Sequence, residues 1–116
     1  MTTGLERTSL AMAETTTDSP DVTIYRNDAA DLAITPANAD AVDVAALGAI
    51  VITGTALSRE PSRSACERLV ELAGDAGCPV VLDIDYRAQA WASPDEARET
   101  LAGMARRVQM LSLIHI

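Results

Sequence analysis

The stretch Ala49 to Ile84, AIVITGTALSREPSRSACERLVELAGDAGCPVVLDI, decides the architecture. Its first five residues are apolar and β-branched, which predicts a short strand buried on both faces, and Gly54 permits a sharp exit from it. From Ser62 to Ala76 the residues Ala65, Leu69, Leu72 and Ala73 recur at helical spacing between Arg and Glu, and Gly77 supplies a stop. An amphipathic helix is expected there. PVVLDI, Pro79 to Ile84, predicts a second buried strand. Downstream, Ser93, Pro94 and Glu96 have the spacing of a capping box with Pro at the first helical position, opening a helix that runs to about Val108. Strand, helix, strand, helix is a βαβα unit, whose two strands lie parallel and adjacent in an α/β layer fold. Ligands in such sheets sit beyond the carboxyl ends of the strands, so Thr53 to Thr55 and Asp83 to Arg87 are the segments to inspect.

Toward the N-terminus, Thr35 and Pro36 read as a helix cap and first helical residue, leading into an Ala- and Asp-rich helix that ends near Gly48. RTSLAMAE (Arg7 to Glu14) and DVTIYR (Asp21 to Arg26), joined by the turn residues TTTDSP, predict a β-hairpin. Asn27 to Ile34 is a small-residue link. The acidic residues Asp18, Asp21, Asp28 and Asp31 lack a calcium-loop pattern and read as a solvated face.

At 116 residues the chain has room for one hydrophobic core, and 48% hydrophobic with 22% charged residues is ordinary globular composition. A net charge of -8 argues against nucleic acid as a partner. Every basic residue is Arg; the absence of Lys excludes a Walker-type phosphate loop, a protein-kinase strand Lys and a Schiff base. Cys66 and Cys78 lack zinc-site spacing and read as reduced, structural thiols. No metal site is predicted. No apolar stretch is long enough to span a bilayer and Met1 to Ser9 has no signal pattern, so the expected location is cytoplasmic, with no membrane partner.

Three separated segments, YRNDAADLAI (Tyr25 to Ile34), VITGTALSREPSRSA (Val51 to Ala65) and VVLDIDYRAQAW (Val80 to Trp91), resemble the ribokinase-like (PfkB) sugar kinases in order and spacing. Among these, the chain resembles the bacterial 5-dehydro-2-deoxygluconokinases of inositol catabolism. The resemblance covers most of residues 7 to 110. It implies a ribokinase-like α/β fragment: residues 1–34 a lid-like hairpin and link, residues 35–110 a partial kinase core. A lid hairpin should stand away from the βαβα unit or pack on a second protomer, which makes a homo-oligomer through the hairpin an expected partner arrangement.

The resemblance further implies an ATP- and Mg-dependent transfer to a hydroxyl of 5-dehydro-2-deoxygluconate or a similar sugar acid. Tyr25 and Arg26 match an aromatic-Arg pair on the lid side, and Arg87 matches the Arg of an Asp-x-Asn/Asp-x-Arg turn that reaches the substrate. A guanidinium fork suits a carboxylate or phosphate. Asp83 and Asp85 are expected as supporting carboxylates that partner Arg87; a salt bridge alone would also account for Arg87. The chain departs from the pattern at Ile24, where related kinases often carry a second aromatic, and at Ala88, where Pro is usual.

The family's glycine-rich sugar-binding segment and its Gly-Ala-Gly-Asp catalytic motif are both missing from this sequence. Ala73-Gly74-Asp75 comes near the motif, but Leu72 occupies the first Gly position and the triplet sits at a helix end, where backbone N–H groups are not free. No catalytic residue is therefore assigned, and the chain alone is expected to be inactive, with no ATP or Mg bound. LSLIHI (Leu111 to Ile116) leaves the family pattern and reads as the translation of a sequencing adapter, so residues 111–116 are expected to be a non-native tail; the other reading is a short C-terminal strand. The alternative function is a non-catalytic α/β binding module that pairs through its exposed hairpin.

Overall fold

The computed structural model describes residues 5–15 and 22–113. The chain order is β1 (Leu10–Ala13), β2 (Val22–Tyr25), α1 (Pro36–Asp40), β3 (Ile50–Thr53), α2 (Ser62–Ala76), β4 (Val80–Asp83), α3 (Pro94–Ala105) and β5 (Met110–Ser112). β3, β4 and β5 form one parallel sheet in that order; β1 and β2 form a separate antiparallel pair in which Leu10 faces Tyr25 and Ala13 faces Val22. The fold is the α/β class expected, with the hairpin standing outside the main sheet. The expected turn between the hairpin strands lies, after Thr15, outside the described residues, as do residues 114–116 of the expected tail.

Alternation along the strands sets the core. Ile50, Ile52, Val80 and Leu82 point to one face, where they pack with Val70 and Ala73 of α2 and with Ala97, Leu101 and Met104 of α3. The opposite face carries Val51, 66% exposed, in register with Val81 and Met110. The expectation that β3 is buried on both faces is thus corrected: among the described residues, helices cover one face only, and β3 shows the half-buried alternation.

Helix boundaries follow local chemistry. Thr35 caps α1 through a capping box with Asn38, and Pro36 begins it. The helix ends at Asp40, well short of Gly48, because Val42, Asp43 and Val44 are weak helix formers and Asp40 and Asp43 place negative charge at the negative end of the dipole. α2 stops where Gly77 takes φ 69°, and the Cys78 N–H returns to the Ala73 carbonyl at 2.9 Å. Ser93 caps α3, its hydroxyl accepting from the Glu96 N–H at 3.1 Å. Glu96 does not complete the box; its carboxylate accepts from Ala92 N–H and from Arg63. Arg106 sits at the C-cap of α3, where its charge complements the dipole.

β5 crosses the boundary drawn at residue 111: Leu82 pairs with Leu111 and Asp83 with Ser112. Cys66 and Cys78 are buried free thiols, and burial pushes the Cys66 thiol up to about 11. No described helix is long and apolar enough to cross a membrane.

Candidate functional site

Gly54 ends β3 because nothing larger fits. A Cβ there would lie 2.0 Å from the Ile84 carbonyl oxygen and 2.9 Å from Leu101 Cδ2. The close approach lets the chain turn directly at the sheet edge into the tight turn Gly54–Leu57. That turn, the loop after β4 and the end of the hairpin surround a half-open cleft of about 1190 Å³ beyond the carboxyl ends of β3 and β4. Val22, Thr23 and Ile24 of β2 form one wall; Thr55, Ser58 and Arg59 form the second; Tyr86, Arg87 and Ala88 form the third.

Of the residues singled out from sequence, Arg26 and Arg87 meet in this cleft although 61 positions separate them (87 less 26). Arg26 donates from Nη1 to the Thr55 carbonyl at 3.2 Å and pairs through Nη2 with Asp31. It thereby ties the end of the hairpin to the turn after β3. Arg87 donates from Nε to Asp85 Oδ1 at 3.0 Å, and Asp85 Oδ2 accepts from the Thr55 hydroxyl at 3.3 Å. The two terminal amino groups of Arg87 have no hydrogen-bond partner among the described residues. Asp85 has φ 32° and Asp28, also at the cleft, has φ 52°. Both occupy the left-handed region at a cost of about 1 kcal/mol or more, a conformation that persists where surrounding contacts hold it.

Tyr25 stands on β2 opposite Leu10, 52% exposed, and does not line the cleft. Asp83 closes β4, paired in register with Thr53 and Ser112; the ion pair of Arg87 is with Asp85. Asp75 lies exposed in the last turn of α2 and away from the cleft. Trp91 is packed, at 7% exposure, with the Arg63 guanidinium 5.9 Å from its ring centre.

Two arginines escaped the sequence reading. Arg59 lines the cleft and forms no ion pair among the described residues; its place just beyond a strand's carboxyl end was the available signal. Arg63, which reads as one polar residue of an amphipathic helix, reaches back to the carbonyls of Leu57 (2.7 Å) and Ser58 (3.3 Å) and to Glu96 (2.6 Å). Its hydrogen bond holds the Glu96 carboxyl below its ordinary value. Among the described residues no group of three or more His, Cys, Asp or Glu is placed to hold a metal ion.

No protein-family model matches the chain. Over 91 residues it is 42% identical to the 5-dehydro-2-deoxygluconokinase of Photobacterium profundum, an alignment that takes in 78% of this chain and 28% of that protein. Its fold superposes on a PfkB protein from a Polaromonas species with a TM-score of 0.78 at 22% identity, covering 91% of this chain and 36% of the other. The chain has the ribokinase-like (PfkB) fold and, over most of its own length, is similar to one stretch of a 5-dehydro-2-deoxygluconokinase. A fructokinase from Xylella fastidiosa, solved with ATP bound, superposes on this ribokinase-like chain with a TM-score of 0.80 at 18% identity, over 94% of this chain and 34% of that one. The ribokinase-like chain therefore spans roughly a quarter to a third of the length of the proteins it matches.

Proposed function

We propose that this chain supplies the sugar-acid-binding part of a cytoplasmic, ATP- and Mg-dependent kinase acting on 5-dehydro-2-deoxygluconate or a similar sugar acid, and that alone it transfers no phosphate. The observation that carries this reading is the convergence of Arg26 and Arg87, from segments distant in sequence, on one cleft beyond the carboxyl ends of parallel strands. Each guanidinium is oriented by a carboxylate, and Arg87 keeps both terminal amino groups for a ligand oxygen. Bidentate donation of that kind matches a carboxylate. Inactivity follows from chemistry: the sequence holds no Gly-Ala-Gly-Asp motif to supply the base, and phosphoryl transfer needs one.

Titrating the isotope-labelled chain with 5-dehydro-2-deoxygluconate tests the binding half. Resonances of Arg26 and Arg87 should move, and Arg87→Ala should weaken binding by about 2 kcal/mol, the worth of a charged hydrogen bond. Shifts confined to residues away from the cleft would reject the site. For the catalytic half, the chain with ATP, Mg and the sugar acid should release no ADP above background; turnover that disappears in Asp75→Asn would overturn the reading.

The hairpin supports a further element of the proposal. All eight residues of β1 and β2 are exposed, among them Leu10, Met12, Val22, Ile24 and Tyr25. An apolar two-stranded ribbon of this kind gains stability by being covered, and we assign it to pairing with a second copy. Sedimentation should show a concentration-dependent dimer that Met12→Glu dissociates; an unchanged monomer at high concentration would exclude it.

A further inference from the structure

Thr55 belongs to neither arginine nor to their carboxylates, yet it touches both halves of the cleft. Its carbonyl oxygen accepts from Arg26 Nη1 at 3.2 Å, across 29 positions of sequence. Its hydroxyl donates to Asp85 Oδ2 at 3.3 Å, across 30 positions, and the other oxygen of that carboxylate holds Arg87 Nε at 3.0 Å. Two more contacts fix Thr55 itself: the Ser58 hydroxyl donates to the same carbonyl at 2.8 Å, and Thr53 Oγ1 lies 3.2 Å from Thr55 Oγ1. The residue sits one position past Gly54, in the turn that the sheet edge holds closest.

From this geometry we propose that Thr55 is a positioning residue that sets the spacing between the two arginines. The carbonyl fixes Arg26 and, with it, the end of the hairpin. The hydroxyl braces Asp85 in its left-handed backbone conformation, so that the carboxylate presents its second oxygen to Arg87. A ligand held by both guanidinium groups then meets two cations whose separation is decided by one residue with two functional atoms. Pre-organised donors lose less freedom on binding than mobile ones, which is how a residue that never touches the ligand affects its affinity. The assignment rests on the reading that Arg26 and Arg87 bind the substrate anion, but the brace exists whether or not a ligand does.

The test uses the 116-residue chain and the side-chain Nε–Hε signals of its arginines. Thr55→Val removes the hydroxyl, keeps the carbonyl and nearly keeps the shape. Exchange of the Arg87 Hε with water should quicken about fivefold, the factor that one ordinary hydrogen bond is worth, while Arg26 keeps its wild-type behaviour. Affinity for 5-dehydro-2-deoxygluconate should fall by a similar factor, and Thr55→Ser should restore both. Unchanged Arg87 exchange in Thr55→Val refutes the brace, and quickened exchange with unchanged affinity refutes the positioning role. A wild-type chain that binds no sugar acid counts against the binding reading alone, because the exchange measurement still decides whether Thr55 holds Arg87. Should Thr55→Val fail to give a cooperative melt, Thr55→Ala removes the same hydroxyl with less bulk and must give the same exchange result.

Discussion

Replacing Arg63 with Met should destabilise the chain by about 2.5 kcal/mol, although helical spacing makes Arg63 look like a surface residue. Methionine keeps most of the aliphatic stem against Trp91 and removes the donors. The lost contacts are a short hydrogen bond from Nε to the Leu57 carbonyl at 2.7 Å, a longer one from Nη2 to the Ser58 carbonyl at 3.3 Å, and the guanidinium over Trp91 at 5.9 Å. A charged donor in good geometry is worth about 1.5 kcal/mol, and the long bond and the ring contact about 0.5 kcal/mol each. The ion pair to Glu96 is left out of this sum. Against a total stability of about 5 to 15 kcal/mol the loss is large, and at this chain length it corresponds to roughly 10 °C in Tm. Trp91 is the sole tryptophan, so its fluorescence reports urea unfolding at the affected site. Arg63→Lys should recover part of the loss, since an ammonium keeps charge but not the fork that spans two carbonyls. A midpoint for Arg63→Met within about 0.5 kcal/mol of wild type would mean that the two carbonyls are equally well served by water, and the reasoning would fail.

Gly54→Ala should cost more than about 3 kcal/mol or prevent folding, because its Cβ would lie 2.0 Å from the Ile84 carbonyl oxygen, a backbone atom that cannot step aside without parting β3 from β4; a wild-type urea midpoint would contradict this. Glu96 gives a pH signature. Its carboxyl is held below the ordinary value of 4.5, first by the hydrogen bond from Arg63, so its contribution is present above about pH 4.5 and is lost as pH falls through the lowered folded value. Urea midpoints measured across the acid range should show a steeper decline for wild type than for Glu96→Gln, and superimposable profiles would remove Glu96 from the acid response.

The elements that sequence revealed are those whose signals are local. β3, β4 and α2 follow from apolar runs and a Gly stop, and α2 matches the expected Ser62 to Ala76 because Gly77 alone relieves the left-handed exit. α1 was over-extended because alanines at Ala39, Ala41, Ala45 and Ala46 suggested helix while the intervening Asp and Val residues set the true end. The exposed face of the sheet was illegible: an apolar run such as IVIT reads the same whether one or both of its faces are covered, and only the arrangement of neighbours distinguishes the cases. In the site, Arg26 and Arg87 were found through a resemblance of motifs. Thr55 was marked only as lying past a strand end, since no local pattern announces that its hydroxyl meets a residue 30 positions away.

The charge balance of the cleft constrains how it can recognise an anion. Arg26, Arg59 and Arg87 line it, but so do Glu6, Asp28 and Glu60, within a chain of net charge -8. A field of one sign is therefore absent, and long-range attraction contributes little beyond about 10 Å in physiological salt. On the proposed reading, selectivity for an anionic sugar comes from direction. Asp85 engages Arg87 through Nε and leaves its terminal donors without a partner among the described residues, while Asp31 and the Thr55 carbonyl hold Arg26 through its two terminal nitrogens. The Glu60 carboxylate is itself occupied by the Ser64 N–H at 3.2 Å and the Ser64 hydroxyl at 2.7 Å, which lessens its competition for the same guanidinium groups. The carboxylates around the site thus trade net charge for fixed geometry. On the proposed reading, a site built this way recognises the placement of ligand oxygens more than their charge, so that an acidic chain without a single lysine still presents directed donors.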